Sequence, residues 1–167
     1  GVMIMEICLA EALKRVKAID TEMSEVMTEE RNKCQTVYRT VEEKIVYDYN
    51  FDQTREILDG LRKELLLLKR AINKANNEVQ IGVEDYTIAD GLVMMALINK
   101  EIQYHLDSMG RKEERTSQVD MRNDSVIYTE LLYDPKQCRQ YVANRRELLA
   151  KIQLGIDRAN LTTMISY

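Results

Sequence analysis

The side chains that ordinarily carry catalysis are scarce in this chain, and they are not grouped. His105 is the single histidine, which rules out a multi-histidine metal centre and leaves it to pair with a carboxylate or a cysteine. No motif marks a nucleophile for it to activate, and a packed or surface histidine is the simpler reading. Cys8, Cys34 and Cys138 are odd in number and far apart, with no C-x-x-C pair. They point to reduced thiols in a cytoplasm rather than to a disulfide framework or a zinc site. Acidic pairs occur at Glu29-Glu30, Glu42-Glu43, Glu84-Asp85 and Glu113-Glu114. Helical neighbours diverge, so these pairs read as solvated faces rather than shared-proton or metal sites. No glycine loop of the phosphate-cradling kinds is present. The expectation is therefore no catalytic, cofactor-binding or metal-binding residues, with an enzyme the less favoured reading.

Two polar residues interrupt apolar stripes. Asn99 falls where the series Ile88, Leu92, Met95, Ile102 calls for a hydrophobe, and Arg145 does the same between Val142 and Leu149. An unpartnered buried polar group costs about 1–3 kcal/mol, so these side chains should find a partner. The spacing predicts either a register lock, as a core asparagine provides in coiled coils, or a polar pocket formed by Asn99, Arg145 and Glu101.

The elements that would position them are helices. The steps Leu58, Leu61, Leu65, Leu68, Ile72, Ala75 alternate three and four, the spacing of a coiled-coil seam. Similar spacing predicts helices over 6–33, 52–77, 87–109 and 134–160. Thr87 to Asp90 suggests a capping box, and Asp134-Pro135 suggests a helix start. At 1.5 Å per residue these are rods of roughly 35–42 Å, which must lie side by side. The expected fold is mainly α: a single domain over 1–167, a bundle of four long antiparallel helices with small β-hairpin or strand elements at the helix ends.

Composition agrees. The chain has 167 residues, 45% hydrophobic and 31% charged, with one proline and six glycines, which excludes disorder and argues against a sandwich or barrel. A net charge of −4 and a pI near 5.2 disfavour nucleic-acid binding; the basic doublets are interleaved with acids. No apolar run approaches the ~18 residues of a membrane span. Gly1 reads as a cloning remnant, and the opening residues lack the basic segment of a signal peptide. Between the helices, 36–49 is rich in β-branched and aromatic residues and reads as a β-hairpin. Segments 77–84, 125–133 and 161–167 are shorter strand candidates, and 110–123 reads as a polar, mobile loop.

Two helix ends echo one another: Ile72, Asn73, Lys74, Ala75, Asn76 against Ile156, Asp157, Arg158, Ala159, Asn160. One reading is capping, since asparagine tolerates the left-handed conformation that ends helices; the other is a duplicated two-helix unit or binding site. Together with Leu9 to Arg15, Ala71 to Asn76, Thr87 to Val93, Ile152-Gln153 and Asp157 to Asn160, these residues make the chain resemble the septicolysin-like family of uncharacterised bacterial proteins. Gly91 and the tail from Thr162 to Tyr167 depart from that pattern. The resemblance implies a bundle of long antiparallel helices and supplies no catalytic residues. A cytolysin, as the family name suggests, finds no support in any segment here.

Met94, Met95 and Leu65 to Leu68 widen the apolar surface beyond one stripe, which predicts a homo-oligomer built by helix packing. The leading expectation is a cytoplasmic structural or protein-interaction module, with a possible unidentified protein partner, no nucleic acid, no membrane and no cofactor. The alternatives are a prefoldin-like chaperone holder, or a small-ligand binder or enzyme using a polar cavity between helices.

Overall fold

Proline occurs once, at the first position of a helix, where its missing N–H is no loss; no proline breaks the long apolar-periodic segments. In the computed structural model, which describes residues 4–167, these segments form α1 (Leu9–Lys33), α2 (Phe51–Glu78), α3 (Ile88–Glu101) and α5 (Pro135–Thr162). Helix α3 runs through one π turn (Ile102–Leu106) into α4 (Asp107–Arg111). Strands β1 (Glu6–Cys8) and β4 (Met164–Ser166) make one antiparallel pair; β2 (Arg115–Asp120) and β3 (Ser125–Glu130) make another. The fold is mainly helical with small antiparallel strand pairs, and the four expected helices lie within a turn of their expected ends. Gly1 lies outside the described residues.

Local chemistry sets the helix starts. Asn50 accepts from the Gln53 amide at 2.9 Å. The Thr87 hydroxyl accepts from the Asp90 amide at 3.2 Å while Asp90 accepts from the Thr87 amide at 3.0 Å, a capping box with aspartate in the usual Glu position. Helix α1 has no side-chain cap; its Leu9 amide donates instead to the Thr163 carbonyl at 3.0 Å.

The chain divides into two compact units: the residues up to Val79 with Ala159–Tyr167, and Gln80–Arg158. In the first, Arg15 of α1 meets Glu64 of α2 and Glu30 of α1 meets Arg55 of α2, an order that makes the two helices antiparallel. The alternating seam is the inward face of α2: Leu58, Leu68, Ile72 and Ala75 are buried, whereas Leu66 and Leu67 are exposed. In the second unit, Ile98 and Ile102 cluster with Val142 of α5, flanked by Met94, Leu106, Leu148 and Leu149.

Several connections differ from expectation. Residues 36–49 form no hairpin; one 3-10 turn, Val41–Glu43, is their only regular element. Val37, Val41, Ile45 and Val46 are all exposed, and β propensity has effect only where a pleated face can pack. Segment 77–84 is no strand either: α2 continues to Glu78, and a single bridge joins Gln80 to Thr87 around a turn with Gly82 at φ 77°. Residues 6–8, expected as the start of a helix, pair with β4. The polar stretch 110–123, expected as a loop, supplies β2. Its turn is set by Asp120, which accepts from the Arg122 amide at 3.0 Å and the Asn123 side chain at 2.8 Å.

The echoing helix ends do not use left-handed asparagines. Among the described non-glycine residues only Glu84 and Asp124 have positive φ. Both ends instead leave the helix in the same way. The Val79 amide donates to Ala75 and the Thr163 amide to Ala159, each at 2.9 Å. Ile81 and Ile165, each two residues on, are buried. Each extended segment then pairs with the residue just ahead of another helix, Gln80 with Thr87 before α3 and Met164 with Cys8 before α1.

Ile81 sits on two glycines. A Cβ on Gly155 would lie 2.4 Å from the Ile81 carbonyl oxygen, and one on Gly91 would lie 2.8 Å from Ile81 Cδ1; Gly60 has open space around it. Gly155→Ala should therefore lower stability by about 1–3 kcal/mol through overpacking, while Gly60→Ala should raise it by about 0.5–1 kcal/mol. Urea unfolding followed by circular dichroism reads both, and equal effects would contradict this packing.

Candidate functional site

The buried side of α3 is Ile88, Gly91 and Ile98, continued by Ile102. This is the expected stripe turned by one position, since Gly91 and Ile98 take the inward places assigned to Leu92 and Asn99. Asn99 is therefore exposed and is neither a core lock nor part of a buried pocket. Arg145 and Glu101 do come together, lining a shallow groove of about 130 Å³ with Met94, Leu97, Ile98 and Ile102. That is well under the roughly 300–1,000 Å³ of ordinary ligand sites. The Arg145 guanidinium donates from Nε to the Tyr141 hydroxyl at 2.9 Å and lies 5.2 Å from that ring; Tyr141 holds it along its own helix.

The remaining sequence candidates stay apart. His105 is exposed in the π turn. Cys138 donates its thiol to the Leu106 carbonyl at 3.5 Å, and all three cysteines are free. Among the described residues no group of His, Cys, Asp and Glu could hold a metal ion. Asn73 accepts through its carbonyl from the Asn77 side chain at 2.9 Å, and Asp157 accepts from Gln153 at 2.9 Å. Asn76 and Asn160 are half-buried at the two helix ends.

The strongest polar constellations brace the first unit. Arg15 grips both Glu64 oxygens at 2.8 Å and reaches Glu22 at 2.8 Å, and the Tyr167 hydroxyl donates to Glu64 at 3.5 Å. The Arg15 hydrogen bonds hold the Glu64 carboxyl below its ordinary 4.5. Further along the same helix pair, Glu30 accepts from the Tyr49 hydroxyl at 2.6 Å and from Arg55. That bond to Glu30, with burial and the carboxylate's charge behind it, pushes the Tyr49 phenol up to about 12.

Sequence reasoning located the surplus apolar surface only in outline. Leu92, Val93, Leu97 and Tyr104 form an outer face on α3 and the π turn, with Val93 at 58%, Leu97 at 56% and Tyr104 at 75% exposure. The β2–β3 hairpin is exposed on both faces, Val119, Val126, Ile127 and Tyr128 included. The legible signal was that the residues over 92–98 are apolar on every side.

No known family model and no curated protein matches the sequence. Among solved structures, the chain is similar to a functionally unknown conserved protein from Corynebacterium diphtheriae, with a TM-score of 0.64 and 21% identity. The match covers 96% of this chain and 99% of that one. At that identity the likeness is one of fold alone. Among the described residues, no helix is long and apolar enough to cross a membrane.

Two measurements check these placements. Asn99→Leu should shift unfolding stability by less than about 0.5 kcal/mol, as at any exposed site, whereas Ile98→Ala should cost about 2–4 kcal/mol. For Glu64 the native carboxyl is the stronger acid, so its contribution is complete above 4.5 and vanishes as pH falls through the lowered native value. Glu64→Gln should therefore cost about 1 kcal/mol or less at neutral pH, given the pair's partial exposure, and should flatten the acid limb of a stability–pH curve.

Proposed function

We propose that this protein is a structural or protein-interaction module that acts as a homo-oligomer, its long helices lying antiparallel in a bundle of the septicolysin-like bacterial type and working in the cytoplasm. The observation that carries this reading is the outer face of α3, where Val93, Leu97 and Tyr104 are exposed opposite the buried Ile88, Ile98 and Ile102. A helix that is apolar all round is ordinarily covered on all sides. A second copy covers it most simply, since the same patch on two chains can be self-complementary about a two-fold axis. The solitary β2–β3 hairpin supports the same reading, because two strands without a packing layer are marginally stable in water.

A chaperone-like holder is the second reading. It is favoured by the apolar connections that cap both helix pairs: Val37, Val41, Ile45 and Val46 between α1 and α2, and the β2–β3 hairpin between α4 and α5. Light scattering coupled to size exclusion separates the readings. The oligomer predicts a mass that is a multiple of 19.5 kDa, and Val93→Glu with Leu97→Glu should return the monomer with its helical circular dichroism intact. A wild-type monomer at about 100 μM, well above ordinary dimer dissociation constants, overturns it. Suppression of client aggregation by the monomeric variant would then favour the holder.

A further inference from the structure

In the second unit three guanidinium groups share one groove. Arg111 of α4 and Arg139 and Arg146 of α5 line it with Asp107, over Leu106, Gly110 and Val142, enclosing about 370 Å³. The π turn helps to create it. Ile98, Ile102, Leu106 and Gly110 step by four toward α5, and in an ordinary α-helix each such step drifts by about 40°. The widened turn absorbs that drift and carries Asp107, Gly110 and Arg111 onto the same side.

Each arginine is held differently. Arg139 donates from Nη1 to the Gly110 carbonyl at 2.7 Å. Its stem crosses that glycine where a Cβ would lie 3.0 Å from Arg139 Cγ, so the side chain is seated by the absence of another. Arg146 reaches the two Asp107 oxygens at 3.3 and 3.5 Å, longer than a strong charge-assisted bond. Arg111 has no hydrogen-bond or ion-pair partner among the described residues and lies exposed at the end of α4. The carbonyls that end α4 favour a nearby cation, but that accounts for Arg139 alone. One carboxylate against three guanidiniums leaves a surplus of two positive charges in a groove of ligand size.

We propose that this groove binds a small, multiply charged oxyanion, a phosphate ester or a di- or tricarboxylate. Guanidinium forks take such groups through paired N–H donors. Arg111 supplies a free fork, Arg146 one held only by its long contacts to Asp107, and Arg139 the donors that Gly110 does not take, while Leu106 and Val142 take an apolar portion of the ligand. The inference is independent of the oligomer: it uses none of the outer-face residues of α3.

Isothermal titration of the intact protein with inorganic phosphate and, separately, with citrate tests it, each against chloride at matched ionic strength. Saturable binding of either anion is expected, and the arm that binds names the chemistry. Arg111→Gln should weaken that binding about tenfold, the loss of one charged hydrogen-bonding partner, while Arg62→Gln, on the other unit, should leave it unchanged. Amide chemical-shift changes on titration should centre on residues 106–111. No saturable binding of either anion up to about 10 mM, beyond the weak millimolar range, overturns the proposal. So does equal weakening by Arg62→Gln, or shift changes centred elsewhere.

Discussion

Everything in this chain follows from how a long helix can hide an apolar stripe. A three-four alternation keeps hydrophobes on one line along the axis, so burial must be lengthwise, against another helix of similar reach. Arg15 with Glu64 and Glu30 with Arg55 hold α1 and α2 in that opposed alignment, but the stripe Leu58, Leu68, Ile72 and Ala75 is what demands it. The charged pairs fix the register of a contact whose driving force is apolar. Their partial exposure limits what each contributes.

Legibility in the sequence follows the same physics. The α2 seam was readable because its period is unbroken, and the α3 capping box because both partners sit at the required spacing. Segment 36–49 misled because valine and tyrosine favour strands only where a face is offered for packing, and none is offered there. Hairpin β2–β3 was half hidden: Ser125 to Glu130 looks like a strand, whereas Arg115 to Asp120 is polar and owes its conformation to its partner and to the Asp120 turn. Asn99 was misplaced by one position because Gly91, which carries no hydrophobic signal, occupies an inward site so that Ile81 can sit close. The Arg111, Arg139 and Arg146 grouping was illegible, since it depends on a π turn that no local residue pattern announces.

The functional picture therefore separates into what is braced and what is left open. Arg15 is committed to Glu64, and Glu30 to Tyr49 and Arg55. His105 is exposed, the three cysteines are free, and among the described residues no group of His, Cys, Asp and Glu could hold a metal ion. What is left open is apolar surface, on α3 and on the connections, together with one cationic groove.

The pairing of β1 with β4 has a consequence for how the chain comes into being. Ile7 sits opposite Ile165, so β1 has no partner until the residues of β4 have been made, roughly ten to thirty seconds later at ordinary synthesis rates. Residues 80–158, contiguous in sequence, face no such delay. The contiguous unit is thus able to settle before β1 finds its partner, and the β1–β4 pairing waits on the closure of a loop that spans it.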